Sequence, residues 1–180
     1  MTKLFDEIPT ISNERVTLSK VTLDDTEGLR ELVTDDLVYR YDPTYLFERQ
    51  YKDPADAIAD MYGDIYLNKQ SLILGVRLTD EGSFLGLAEF YDYREDLLKV
   101  SIGYRLIRRA WGKGIATEVA RLMVSYLYTQ TNVEIICAST MLENKASARV
   151  LEKAGFIHTA SGLQEEWGYD LPTDVDRWFN

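Results

Sequence analysis

The segment RRAWGKGIATEVARL (residues 108–122) decides how the rest of the chain is read. It packs four basic residues and two glycines into fifteen, at the foot of an amphipathic pattern. Ile115, Val119, Leu122, Met123 and Leu127 follow i, i+4, i+7, i+8 and i+12, one apolar stripe on a helix. Just upstream, LKVSIGYRL (residues 98–106) reads as a strand. A strand therefore ends near Leu106, a glycine-containing loop follows, and a helix begins near Gly114. The first N–H groups of a helix lack an internal acceptor, and the macrodipole puts partial positive charge there. Gly112 and Gly114 remove side chains that would hold a ligand off the backbone, and Arg109 and Lys113 add full charges. Together these form a phosphate cradle. On these residues alone a tight strand-to-helix turn with solvated arginines stays open.

The surroundings sharpen the contrast. The chain has 180 residues, 20 Lys+Arg against 30 Asp+Glu, and a formal charge of −10. Yet residues 97–117 contain no acid, while Lys99, Arg105, Arg108, Arg109 and Lys113 all fall there. A local reversal of sign points to a small anionic ligand more than to a polyanion. The acidic balance argues against nucleic-acid binding, which needs a basic face, and suits an amine-bearing partner.

Working outward, RVTLSKV (residues 15–21) alternates as a strand, and residues 22–25 cap a short helix. Residues 33–50 are irregular. Asp53-Pro54 opens a helix running to about Asn68. SLILGVRL (71–78) and SFLGLAEFYDY (83–93) flank the turn TDEG as a hairpin, and residues 98–106 complete a meander. VEIICAS (133–139) reads as a buried strand in a parallel central position. NKASARVLEKAG (144–155) is a second helix, with Asn144 as N-cap and Gly155 just past its end. Residues 156–171 and 174–179 form a terminal antiparallel pair. The sum is a mixed α/β sheet with one crossover after the meander.

No Gly/Ser linker or repeat interrupts the chain, so residues 1–180 are expected to be one domain. Cys137 is the only cysteine, in an apolar run, and reads as a buried hydrophobe rather than a nucleophile. No signal peptide or span of roughly 18 apolar residues is visible, so a cytoplasmic protein with no membrane partner is expected.

The loop is no Walker motif: no Ser or Thr follows Lys113, and Ile107 stands where the first glycine belongs. Nor is it a dinucleotide fingerprint, since a meander precedes it. The run Arg109-Ala-Trp-Gly112-Lys-Gly114-Ile-Ala116 instead resembles the (Q/R)-x-x-G-x-(G/A) acetyl-CoA loop of the GNAT superfamily of N-acetyltransferases. IGYRL resembles the strand before it, and ENKASARVLEKAGF resembles the later N-x-x-S-x-x-(V/L)-L-x-K-x-G-F segment. The likeness, over about residues 103–156, is to the branch that includes ribosomal-protein N-terminal acetyltransferases.

The resemblance implies a mixed, mostly antiparallel sheet of six to seven strands, splayed near the middle and flanked by helices. It implies acetyl-CoA as acyl donor, an amine as acceptor, no metal, and a monomer or homodimer. The strand ending at Leu106 and Ile107 would part from the strand at Val133, freeing backbone to pair with the pantetheine arm. The N–H groups of Arg109, Ala110, Trp111, Gly112, Lys113, Gly114, Ile115 and Ala116 would hold the pyrophosphate. Asn144 would bond the pantetheine side, as helix cap, ligand or both. Ser147 would face the thioester sulfur or satisfy a local backbone group. Trp111 is assigned to adenine-side or surface packing, Glu118 and Lys153 to helix ends, and His158 to a structural role.

The implied reaction is direct attack by a neutral amine on the thioester, with a carbonyl-polarising donor near the Ile107 N–H. About one lysine in a thousand is neutral near pH 7.4, against roughly a fifth to a third of α-amines. Relatives often carry EIGY on the strand, the glutamate acting as base. This chain reads VSIGY, with Ser101 in that place. Glu89 on the neighbouring strand is the replacement candidate. Weak provision of a base tilts the acceptor toward a protein or peptide N-terminus or a small-molecule amine. Tyr62, Tyr66, Tyr91, Tyr93, Glu165, Glu166, Trp167 and Tyr169 are candidate pocket residues. The competing reading is a non-catalytic acyl-CoA-binding or protein-interaction module on the same fold.

Overall fold

A computed structural model describes residues 2–180. Its strands are β1 (Ile11–Ser12), β2 (Val16–Ser19), β3 (Ser71–Leu78), β4 (Phe84–Arg94), β5 (Lys99–Leu106), β6 (Ile135–Met141), β7 (Ile157–Glu165) and β8 (Thr173–Phe179). Its helices are α1 (Thr26–Val33), α2 (Pro54–Tyr62), α3 (Asp64–Leu67), α4 (Ile115–Gln130) and α5 (Lys145–Lys153). The eight strands form one sheet in the order β1-β2-β3-β4-β5-β6-β8-β7. Only β5 and β6 run parallel; every other neighbouring pair is antiparallel. The count exceeds the expected six to seven because β1 has just two residues, too few for any alternation to register.

Local chemistry sets the helix ends. Thr22 and Asp25 form a capping box ahead of α1. Asp53 accepts the Ala55 N–H at 3.0 Å, with Pro54 at the first helical position. The single helix expected to about Asn68 is instead two. Gly63 takes φ −88° and ψ −118°, off the helical path, and a Cβ there would sit 3.2 Å from the Ala59 carbonyl oxygen. At the end of α5, Gly155 adopts φ +93°. The Gly155 N–H then reaches Glu152 O and the Phe156 N–H reaches Leu151 O, a Schellman closure.

The stripe Ile115, Val119, Met123 and Leu127 of α4 is buried as its spacing requires, while Leu122 lies at its margin. Phe90 of β4 meets Tyr126 of α4 with ring centroids 6.0 Å apart. Side chains alternate along a strand, so the even positions of β4 face α4 and the odd ones, Glu89 and Tyr91 among them, face the other side.

One irregularity positions everything below. β5 pairs with β6 only at Lys99–Ile135, Val100–Ile136 and Ser101–Cys137. Beyond Ser101, β5 continues to Leu106 against β4, and β6 continues to Met141 against β8. The two parallel strands therefore part, and a wedge opens between them.

Candidate active site

The wedge has polar backbone along one wall. Ile107 donates its N–H to Leu85 O at 2.9 Å, on the β4 side. Peptide groups alternate in direction along a strand, so those of Tyr104 and Leu106 face the wedge. The sequence reading placed the carbonyl-polarising donor near the Ile107 N–H. That amide is spent within the sheet, and the N–H groups the pleat leaves toward the wedge are those of Tyr104 and Leu106. The Leu106 carbonyl accepts the Trp111 indole N–H at 2.7 Å. Trp111 thus pins the turn to the strand that precedes it, with its ring half exposed.

At the mouth of the wedge, residues 108–110 make one 3-10 turn. Gly112 and Gly114 follow in left-handed conformations, φ +70° and +77°, which glycine adopts without steric cost. Nothing approaches a Cβ position at Gly112 within 4 Å, so the backbone there is open. No side chain caps α4, and the N–H groups of its first turn stay free for an anion.

The charges around this turn are distributed differently from the expectation. Lys99 pairs with Asp92 at 3.2 Å, Arg108 with Asp35, and Arg109 with Glu31 at 3.4 Å. Arg105 leaves the turn altogether. The acid-free run is thus partly neutralised by acids from distant segments, and Lys113 is the cation of the cradle without an ion-pair partner among the described residues. Arg15 joins the turn from β2's approach, donating to Lys113 O at 2.9 Å. Glu118 accepts from Asn13 at 3.2 Å and is structural.

Across the wedge, Asn144 caps α5: its side-chain oxygen accepts the Ser147 N–H at 3.1 Å, which leaves its amide nitrogen to donate elsewhere. Ser147 Oγ lies 2.9 Å from the Tyr104 hydroxyl. That bond spans from β5 to α5, and sequence reasoning missed its Tyr104 half. Burial pushes the Tyr104 phenol up, and the bond to Ser147 opposes that only in part.

Beneath the wedge, on the odd-numbered face, sits a buried charge cluster. Arg105 donates Nε to Glu48 Oε1 at 2.6 Å and Nη1 to Glu89 Oε2 at 3.0 Å. Ser71 Oγ donates to the other Glu89 oxygen at 2.6 Å. Glu89 is therefore not the free carboxylate the sequence suggested; both oxygens are engaged. Burial works against the Arg105 guanidinium, but Glu48 and Glu89 together hold its pKa well above the ordinary value. Two buried atoms in this cluster, Glu48 Oε2 and Arg105 Nη2, have no hydrogen-bond partner among the described residues. Ser101 Oγ lies 3.1 Å from Cys137 Sγ, both buried, so neither strand residue offers a base or an accessible nucleophile.

The candidate pocket residues divide. Tyr62 bonds Val21 N at 2.6 Å and Ile73 O at 2.9 Å, and Tyr66 bonds Phe5 O at 3.0 Å; both are structural. Tyr93 buries an unpartnered hydroxyl beside Phe5, at the far end of β4. Tyr91 lies within the fields of Glu89, Glu165 and Arg177. Glu165 accepts from Ser139 at 2.8 Å, from the Trp167 indole at 2.9 Å and from Arg177. Glu166 enters through its backbone, its carbonyl accepting from Tyr45, and Tyr169 reaches Asp42. His158 Nε2 sits 3.1 Å from Asp176 and its ring packs on Trp178. Among the described residues, no cluster of three or more His, Cys, Asp or Glu could hold a metal, and no helix is long and apolar enough to cross a membrane.

A parted parallel pair beside an open glycine turn on a helix N-terminus defines a class of acyl-CoA-dependent transferase. The acetyltransferase (GNAT) domain family model matches residues 15–157, and the chain belongs to that family. It is an acetyl-CoA-dependent N-acetyltransferase. An uncharacterized N-acetyltransferase of Bacillus subtilis (strain 168), YoaA, is 27% identical over 169 residues, covering 93% of each chain. The uncharacterized N-acetyltransferase p20 of Bacillus licheniformis is 32% identical over 149 residues, 82% of each. Among solved structures, RimJ of Mycobacterium smegmatis in complex with CoA-disulfide superposes with a TM-score of 0.80 at 19% identity, over 100% of this chain and 90% of that one. The last comparison speaks to fold alone.

Proposed function

We propose that the protein moves the acetyl group of acetyl-CoA directly to an amine that is substantially neutral at neutral pH, a protein or peptide N-terminal α-amine or a small-molecule amine. The observation that carries this is the wedge between β5 and β6, with the α4 turn at its mouth and the acidic Glu48–Arg105–Glu89 cluster beneath. The N–H groups of residues 112–116 and Lys113 hold the pyrophosphate, those of Ala110 and Trp111 being spent on Ile107 O at 2.9 Å and Arg108 O at 3.0 Å, and Asn144 donates its amide to the pantetheine. The Tyr104 and Leu106 peptides line the arm, one N–H polarising the thioester carbonyl. The Tyr104–Ser147 hydroxyl pair stands where the thiolate departs. The thioester supplies the acetyl group and a good leaving group. Cys137 is sealed beneath Ser101, which supports direct transfer over a covalent relay. The surplus of carboxylates over the single Arg105 favours a cationic amine on approach. Glu89, tied to Arg105 and Ser71, positions that cluster.

Calorimetry with acetyl-CoA, followed by thiol release across peptides with free α-amines, small amines and an α-blocked lysine peptide, tests the proposal. Thiol release dependent on a free α-amine or small amine is expected, with the blocked lysine peptide slowest. Tight cofactor binding without release from any amine would mark the chain as a binding module instead.

A further inference from the structure

The vertex of the wedge is closed by side chains that the transfer itself does not use. The last pair joining β5 to β6 is Ser101–Cys137, 5% and 0% exposed, with Ser101 Oγ 3.1 Å from Cys137 Sγ. Side chains alternate along a strand, so the next β5 residue on that face is Gly103. It has no side chain to offer, and β4 supplies one instead. Tyr91 is registered opposite Ser101, and Glu89 opposite Gly103. The Tyr91 ring nevertheless leans one pair along: a Cβ built on Gly103 would stand 3.4 Å from Tyr91 Cε1 and 4.0 Å from Cδ1. Diagonal cross-strand neighbours lie within reach of an aromatic ring. The ring therefore rests on the Gly103 backbone, beside the Tyr104 peptide of the wedge wall.

Across the wedge, the polar β6 side chains beyond Cys137 are committed elsewhere. Ser139 Oγ donates to Glu165 at 2.8 Å, and Thr140, on the opposite face, accepts the Trp178 indole N–H at 3.0 Å. The blind end of the wedge thus has a small, buried floor, the Ser101–Cys137 pair, and one bulky wall, the Tyr91 ring. On the function proposed above, the amine arrives over the face of Glu48, Arg105 and Glu89. The sulfur lies toward the Tyr104 and Ser147 hydroxyls, which meet beside α5. A thioester carbonyl carbon carries three substituents. With oxygen toward a β5 N–H and sulfur toward those hydroxyls, the acyl chain has the vertex left to it.

We propose that Tyr91 determines specificity for the acyl donor: its ring, seated on Gly103, admits the methyl of an acetyl group at the vertex and turns away longer chains. The assignment rests on the acetyltransferase function proposed above. One methylene too many in a fitted apolar pocket changes discrimination by about 10–200-fold. Ser101 and Cys137 are already small, so the ring is the wall whose truncation makes room.

The experiment compares wild type, Tyr91→Phe, Tyr91→Leu and Tyr91→Ala with acetyl-, propionyl- and butyryl-CoA. Affinity is measured by calorimetry without an acceptor, and kcat/KM with one amine held constant. Wild type should bind butyryl-CoA, and turn it over, at least about tenfold less well than acetyl-CoA. Tyr91→Phe keeps the ring and should keep that ratio. Tyr91→Leu and Tyr91→Ala should bring the two donors to within about threefold of each other, by gaining affinity for butyryl-CoA. A merely structural role would depress all donors together and leave their ratio alone. Thermal melts show which variants fold, and Tyr91→Leu is the milder truncation. Wild type that binds and uses butyryl-CoA within about threefold of acetyl-CoA overturns the assignment whatever the variants do. A folded Tyr91→Leu that keeps the wild-type ratio overturns it too. Wild type that turns over no donor overturns the proposed function, while the calorimetric ratio still judges Tyr91.

Discussion

Replacing Arg105 by Met tests the central cluster most severely. The guanidinium is 6% exposed and lies between Glu48 at 2.6 Å and Glu89 at 3.0 Å, whose side chains are 0% and 11% exposed. Its removal leaves two buried carboxylates facing each other with no cation between them. At an effective dielectric of about 20, each attraction at such distances is worth about 6 kcal/mol before desolvation is counted. Breaking a buried pair by deleting one partner costs about 3–5 kcal/mol, and that is the expected loss near pH 8. The loss must depend on pH, with a definite sign. Without Arg105 the two buried carboxylates repel each other, and taking up a proton at low pH relieves that repulsion where high pH leaves it in full. The deficit of Arg105→Met against wild type should therefore be small near pH 5 and widen toward pH 8. Urea denaturation followed by the fluorescence of the three tryptophans reads it. Adding Glu48→Gln and Glu89→Gln to Arg105→Met should recover most of the stability, because replacing a buried ion group with neutral residues is far cheaper than orphaning half of it. A variant within about 1 kcal/mol of wild type at pH 8, or one whose deficit ignores pH, would refute this account.

Three further outcomes are expected. Gly86→Ala should cost about 3 kcal/mol of stability, because Gly86 has φ +152° and its new Cβ would overlap the Arg105 carbonyl oxygen and lie 2.8 Å from Leu106 Cα; the denaturation midpoint reads this. Gly112→Glu should leave the fold in place at a cost of about 1–2 kcal/mol for a left-handed non-glycine residue, yet abolish acetyl-CoA binding by calorimetry through bulk and like charge. Asp42→Asn should flatten the stability profile: a carboxyl raised to about 7 stabilises fully below the unfolded value of 3.8 and loses that contribution as pH rises through 7. Wild type should then lose up to about 4 kcal/mol between those limits, the variant much less, as thermal melts across the range will show.

The glycine turn, α4 and α5 could be read from sequence because their signals are local. A 3.6-residue stripe, Asn144 three residues before the Ser147 it caps, and Gly155 at the turn of its helix all act within a few positions. Arg105 was misassigned to the cation cluster for an equally physical reason. It was counted by proximity along the chain, whereas strand alternation turns it, with Gly103 and Ser101, toward Glu89 on the neighbouring strand. The rule was available, but the register of β4 against β5 was not. Residues 34–53 carry no periodicity, because their conformation is set from afar. Thr44 answers to Trp167, Asp42 to Tyr169 and Glu48 to Arg105, each partner lying dozens of residues away. Glu48 is fully enclosed, and nothing near it in sequence announces that.

The placing of β8 between β6 and β7 has a consequence for how the chain is made. β7 is synthesised before β8, yet in the finished sheet β8 is its sole strand partner. A nascent chain that has emerged only through the β7–β8 connection holds β7 with nothing to bond, while β6 shows an unpaired outer edge. Two lone edges on one polypeptide invite mispairing within or between chains. The late strand acts as a wedge-shaped keystone: hydrogen-bonded along both sides, it turns two aggregation-prone margins into interior sheet at one stroke.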